Sequence, residues 1–270
     1  MTSTLLDVLG YSHDQHTARA ALTSPQVGAY LQRLGFSAHS PPTLAQLHLA
    51  HLQRVPFENL DIGWGRPIRL ELDHLYQKIV LERRGGYCYE LNGLLAALLE
   101  ALGHEVRRLS TRVAGKTGEL SPAFDHLALL VGGTQEAQLV DVGFGDAFLE
   151  PLPLIDEFTR LERQKTVCLE QRGEDWLYLE DRGEGLRVQY VFNLVPHNLQ
   201  DFGPRNLCQQ TAPESHFTQN QICSLATPSG RISLSGSRLI RSESGFKTET
   251  ELSADEYEAA LQELFGMAAR

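Results

Sequence analysis

The chain has 270 residues, 42% of them hydrophobic and 21% charged, with a formal net charge of −10 at pH 7. That length fits one large domain or two to three small packed ones, with enough apolar material for a sizeable core. The acidic balance argues against general nucleic-acid binding, which needs basic surface, yet a local basic patch can still hold an anionic small molecule.

Met1 to Gly10 carries no basic region and no long apolar run, so no signal peptide is expected. The first hundred residues then read as helical. Ser24 followed by Pro25 predicts an N-cap with proline at the first helical position, and Gly35 predicts the stop. Leu44, Leu47, Leu49 and Leu52 predict a second helix over Thr43 to Arg54, ended by Pro56. Asp73 to Glu82 reads as a third, broken off by Gly85 and Gly86. A fourth follows at once, with Leu91, Leu94, Leu95, Leu98, Leu99 and Leu102 on one stripe and Gly103 at its end. This most apolar stretch is too short, and too interrupted by Asn92 and Glu100, to span a bilayer.

From His104 the pattern turns to short strands. His126 to Val131 and Gln138 to Val142 read as a hairpin across Gly132 and Gly133. Thr166 to Gln171, Trp176 to Glu180 and Leu186 to Phe192 continue an antiparallel region, and residues 196 to 210 read as irregular or briefly helical. Ile222 to Ala226, Arg231 to Leu234 and Ser237 to Ile240 are strands, and Ser253 with Glu256 forms a capping pattern that opens a closing helix to about Phe265. The fold class is α+β. The four cysteines at 88, 168, 208 and 223 show no CxxC pair and no Cys/His zinc spacing, so no metal is expected, and reduced thiols in the cytoplasm are.

Three places carry chemistry: Arg84 to Asn92, Asp125-His126, and Asp141 to Gly145. Cys88 follows a Gly-Gly break and opens the leucine-striped helix. The unpaired N–H groups and dipole of a helix start favour a thiolate and can also hold an oxyanion. The ordinary alternative for a free cysteine is a small core residue. His126, Ala128 and Leu130 share one strand face, and Leu139 and Asp141 share another. If Leu130 faces Leu139, His126 lies diagonal to Asp141. A shift by two places them directly opposite, and a slip by one separates them. An Asp beside the His fixes its tautomer and stabilises the imidazolium, whose other nitrogen can take the Cys88 proton. A thiol protease, a transglutaminase-like crosslinker and an acyl-CoA transferase all fit this Cys, His, Asp order. A binding module that has lost its chemistry fits less well with all three residues intact.

Arg54-Val-Pro-Phe-Glu-Asn-Leu60, Arg84-Gly-Gly-Tyr-Cys88, His126-Leu-Ala-Leu-Leu-Val131, Asp141-Val-Gly-Phe-Gly145 and Phe217 with Ile222-Cys-Ser-Leu-Ala-Thr-Pro-Ser-Gly230 together resemble the arylamine N-acetyltransferase family, in its bacterial form. The likeness covers nearly the whole chain. It implies an N-terminal helical bundle over 1–103, a central antiparallel β-barrel over 104–200, and a linker with a C-terminal α/β lid over 201–270, around a cysteine-protease-like Cys-His-Asp core. It implies acetyl-CoA as cosubstrate and a ping-pong cycle that acetylates arylamines, arylhydrazines or N-hydroxyarylamines. Monomer and homo-oligomer are both compatible. Cys88 matches the nucleophile, His126 the base and Asp141 its orienter. Phe144 and Gly145 match a turn near the coenzyme, and Phe57 and Phe124 match positions near the acceptor pocket. With Tyr87 they would line an aromatic slot, while Tyr89 reads as core. Two departures stand out: Asp125 before the histidine and Glu214 in Pro213 to Phe217, both acidic where coenzyme phosphates would come near. The nearest rival is an amide synthase with the same triad and a carrier-bound acyl donor.

Overall fold

The computed structural model describes residues 21–37, 42–133 and 136–267. Helix α1 spans Ser24–Arg33 and α2 spans Leu44–Arg54. The cap of α1 is Thr23, so Ser24 is already helical and Pro25 sits in the first turn, where its missing N–H costs nothing. A two-residue strand β1 (Phe57–Glu58) and a single helical turn α3 (Leu60–Gly63) follow. The expected third helix is composite: α4 covers Leu72–Tyr76 and continues as a π-helical turn over Gln77–Leu81. Helix α5 (Cys88–Ala101) is buried on every side through Leu99, as a helix at the centre of a core must be.

The β region is an eight-stranded antiparallel sheet in the order β5-β4-β3-β2-β9-β8-β7-β6, curled into a nearly closed barrel. Its strands are β2 (Val106–Val113), β3 (His126–Val131), β4 (Gln138–Val140), β5 (Leu152–Pro153), β6 (Phe158–Glu162), β7 (Lys165–Arg172), β8 (Asp175–Asp181) and β9 (Arg187–His197). The end strands β5 and β6 are consecutive in the chain, so a short connection bridges the opening. Leu130 pairs with Leu139 and Leu129 with Val140, the first of the two expected registers. Strand β4 ends at Val140, one residue before Asp141.

Residues 196 to 210 are more regular than expected. Pro196 and His197 belong to β9, a 3₁₀ turn spans Leu199–Phe202, and helix α6 spans Gly203–Thr211. After the short α7 (His216–Gln219), strands β10 (Ile222–Ala226), β11 (Gly230–Ser235), β12 (Arg238–Glu243) and β13 (Phe246–Glu251) form a second sheet, and α8 (Ala254–Phe265) closes the chain. The first strand of that sheet is β1, with Phe57 opposite Ser224 and Glu58 opposite Cys223. The helical N-terminal part thus contributes a strand to the C-terminal sheet. One core joins α1, α2, α4 and α5 to the outward face of β3, formed by Leu127, Leu129 and Val131, and a second fills the barrel around Phe148, Tyr178 and Tyr190. All four cysteines are free. Among the described residues no helix is long and apolar enough to cross a membrane.

Candidate active site

The loop before α5 is fixed by close packing. A Cβ on Gly85 would stand 1.9 Å from the Pro56 carbonyl oxygen, and one on Gly86 would stand 2.7 Å from Glu90 Oε2. Gly86 also accepts from the Glu58 amide at 2.8 Å. Beneath this loop lies a buried charge cluster. Arg84 pairs with Glu58 at 2.7 Å and with Asp61 at 3.1 Å, while Lys78 reaches Asp61 and Glu90, each at 2.8 Å. Glu90 also accepts from the Tyr87 amide at 3.1 Å, capping the helix that Cys88 opens. Burying charges is costly unless each is paired, so this network holds the loop in one arrangement.

Cys88 is the first residue of α5 and only 4% exposed. His126, at the start of β3, is bonded through Nε2 to Asp141 Oδ2 at 2.7 Å. The neighbouring Cys88 adds to the basicity of the same imidazole. With Nε2 taken up by Asp141, Nδ1 is the ring nitrogen left to serve the thiol. Burial disfavours a charged imidazole, but Asp141 and Cys88 outweigh it and push the His126 pKa up to about 10. Burial likewise opposes ionisation of Asp141, and His126, Asn92 and the Gly143 amide together hold its carboxyl below the usual value.

Asn92 was not assigned a role from the sequence, although its position offered a signal. It stands one turn after Cys88 on the same helix face, a fully buried amide in a leucine-rich helix. Its Nδ2 donates to Leu127 O at 2.7 Å and to Asp141 Oδ1 at 2.9 Å, and its Oδ1 accepts from the Val142 amide at 3.0 Å. His48 was also missed. Its Nδ1 lies 3.0 Å from Leu149 O and must donate there. Burial lowers its pKa, so the neutral ring leaves Nε2 to accept from the Asp141 amide at 3.3 Å. Gly143 completes the contact between the two segments: a Cβ there would stand 2.6 Å from Cys88 Cα.

A model of an N-acetyltransferase family matches residues 42–270. Arylamine N-acetyltransferase of Escherichia coli is 32% identical over 251 residues, covering 90% of this chain and 89% of its own. The chain belongs to the arylamine N-acetyltransferase family. It is therefore a transferase. The solved arylamine N-acetyltransferase of Salmonella typhimurium superposes with a TM-score of 0.84 at 32% identity, over 91% of this chain and 92% of its own. That of Mycobacterium marinum, solved in complex with CoA, gives 0.81 at 31% identity, over 89% and 92%.

In this member of the arylamine N-acetyltransferases the aromatic residues singled out from the sequence fall into two groups. Half-buried Phe57 lies 6.4 Å from Phe217, and the fully buried Tyr87 packs edge-on against Phe217 at 5.3 Å and Tyr89 at 5.2 Å. Phe124, at φ +64°, turns its ring onto His197 at 4.8 Å and Phe202 at 5.1 Å. Tyr89 is fully buried and links the groups, packing on Phe202 and donating from its hydroxyl to Phe124 O at 2.7 Å. The Phe144 ring stands edge-on to His126 at 5.1 Å. Gly145 takes φ +86° with open space where a Cβ would lie. Asp125 is held by Arg205 and by Gln209 Nε2 at 2.7 Å, so its charge is matched by α6. Among the described residues no group of three or more His, Cys, Asp or Glu side chains is placed to hold a metal.

Proposed function

We propose that Cys88, His126 and Asp141 are the reacting set, and that the enzyme carries an acetyl group from acetyl-CoA to an arylamine, arylhydrazine or N-hydroxyarylamine through a thioester on Cys88. One observation supports this above all: His126 is bonded to Asp141 at 2.7 Å, and Asp141 and Cys88 together raise its basicity. A raised imidazole pKa keeps the ring protonated at neutral pH, which favours a thiolate partner. The relative that holds CoA supports the donor.

In the first half-reaction Cys88 Sγ attacks the acetyl carbonyl. A bond forms from Sγ to the carbonyl carbon, the bond to the coenzyme sulfur breaks, and CoA leaves with the proton held by His126. In the second, the acceptor nitrogen or hydroxylamine oxygen attacks the acetyl-Cys88 carbon. The bond to Sγ breaks, and neutral His126 takes the acceptor's proton, restoring the ion pair. Asp141 keeps the ring aligned in both halves, and amides at the start of α5 can hold the oxyanion. Phe57 and Phe124 would face an aromatic acceptor, with Tyr87 backing them through Phe217. The space beside Gly145 would admit the coenzyme arm next to Phe144. The four free thiols fit a reducing cytoplasm.

Initial-rate kinetics with acetyl-CoA and an arylamine test the reading. Ping-pong transfer predicts parallel double-reciprocal lines. Intersecting lines, or no consumption of acetyl-CoA across a panel of arylamines and arylhydrazines, would refute it.

A further inference from the structure

The two aromatic groups around Tyr87 and Phe124 belong to distant parts of the chain, and helix α6 touches both. Phe202, its N-cap, packs edge-on against Phe124 at 5.1 Å. Fully buried Asn206 accepts from the Tyr87 hydroxyl and donates to Ile68 O at 3.1 Å. Arg205 and Gln209 stand four residues apart and so share one face of α6. Both donate to Asp125 Oδ1, Arg205 through Nε and Gln209 through Nε2, each at 2.7 Å.

Gln209 is the side chain that connects the two groups. The Asp125 carboxylate can only accept, so Nε2 of Gln209 faces it and Oε1 is left to accept in turn. Ser215 Oγ lies 2.8 Å from that Oε1. The same hydroxyl oxygen caps α7 by accepting from the Phe217 amide at 3.3 Å. A polar link thus runs from the residue after Phe124, through one amide side chain, to the backbone of Phe217. Phe217 in turn packs against Phe57 and Tyr87. Gln209 and Ser215 are 7% and 8% exposed, so water competes little for these bonds, and breaking one leaves a buried polar group unmatched.

The Phe124 end needs such a tie. Its φ of +64° is one that residues with side chains rarely adopt, and it persists only where neighbouring groups fix it. The Tyr89 hydroxyl holds the Phe124 carbonyl at 2.7 Å, and the Arg205–Gln209 pair holds the next side chain.

We propose that Gln209 is a positioning residue for acceptor choice: through Asp125 and Ser215 it fixes the spacing between the Phe124 and Phe217 rings, and so the width of aromatic amine taken up. This rests on the arylamine reading above. The intact link keeps the rings close and favours a single-ring acceptor. Releasing either end lets them part, loosening contact with a small ring and admitting a wider one. The acetyl-CoA half-reaction runs on Cys88, His126 and Asp141, whose side chains the link does not touch.

Two readouts on the full chain separate the half-reactions. One is the rate of the CoA burst from acetyl-CoA without acceptor. The other is the ratio of kcat/KM for 4-aminobiphenyl to that for 4-methylaniline. Gln209→Leu should keep the burst rate within about twofold and raise the ratio about fivefold, mostly through a higher KM for the smaller amine. Ser215→Ala cuts the link at its other end and should move the ratio the same way, which keeps the test decisive where Gln209→Leu folds poorly. Gln209→Glu sets two carboxylates against each other and should displace the ratio too. Adding Asp125→Asn to it remakes the bond with donor and acceptor exchanged. The ratio should then return to within about twofold of wild type, a recovery that a merely structural loss would not show. An unchanged ratio in both Gln209→Leu and Ser215→Ala, or no recovery in the exchanged pair, would overturn the inference and leave the arylamine reading standing. A wild type that gives the CoA burst yet transfers to neither amine would overturn both.

Discussion

Asn92 Nδ2 donates to Asp141 Oδ1 at 2.9 Å while Oδ2 of the same carboxylate holds His126 Nε2 at 2.7 Å. The helix that starts at Cys88 is thereby tied, one turn on, to the residue that aligns the imidazole. Sulfur, ring and carboxylate share one rigid frame, because Asn92 also binds the backbone on both sides, at Leu127 and Val142.

Replacing that amide should therefore affect activity beyond its effect on folding. Asn92→Ala leaves buried partners unsatisfied and should destabilise the protein by about 2–4 kcal/mol. Acetyl-transfer kcat/KM should fall by at least about tenfold, with the loss concentrated in kcat, since tenfold needs only about 1.4 kcal/mol of misalignment in the transition state. Denaturant melts and initial rates, run at a temperature where the variant is fully folded, check this. A stable variant with wild-type kcat would show that the Asn92 link does not position the site.

The His126–Asp141 bond sets a pH window. The imidazole pKa is about 10 in the folded chain and about 6.5 when unfolded, so between these values the native state binds a proton that the unfolded state lacks. The stabilisation is complete below about pH 6.5, declines as pH rises, and is gone above about pH 10. Asp141→Asn removes its main cause. The melting-temperature gap between wild type and Asp141→Asn should be largest near pH 6 and should close toward pH 10. Iodoacetamide should also alkylate Cys88 more slowly in the variant at pH 7. A gap that stays constant across the window would contradict the coupling.

Glu90 carries a second titration. Burial pushes its pKa up to about 7, with Lys78 opposing and Glu58 and Asp61 reinforcing. The unfolded value is near 4.3, so the native state binds the extra proton between the two, and this contribution to stability falls as pH rises from about 4.3 to 7. Glu90→Gln lacks the titration and can still accept from the Tyr87 amide. Melting temperature against pH between about 5 and 7 should therefore trend more steeply upward in the variant than in the wild type. Parallel curves would rule out Glu90 as the source.

Much of this arrangement was readable before any coordinates. The leucine stripe marked α5, and the hairpin put His126 and Asp141 on one face in either of two registers, of which the structure has the diagonal one. Strand β13 was missed because Phe246–Glu251 is exposed along its whole length, so no apolar alternation marks it. Strand β2 hid behind Arg107 and Arg108, although Arg108 is itself buried and paired with Glu100. Asn92, His48 and the Lys78 cluster act through partners far along the chain, which local pattern does not display. The sequence flagged the charge of Asp125, but only the structure shows Arg205 matching it.

The central claim is tested most directly by trapping the intermediate. Rapid quench of the enzyme with acetyl-CoA and no acceptor, followed by peptide mass spectrometry, should find one acetyl group on Cys88 and none on Cys168, Cys208 or Cys223. Adding an arylamine should discharge it at a rate no slower than turnover. An acetyl group on another residue, or transfer in Cys88→Ala at the wild-type rate, would contradict the account.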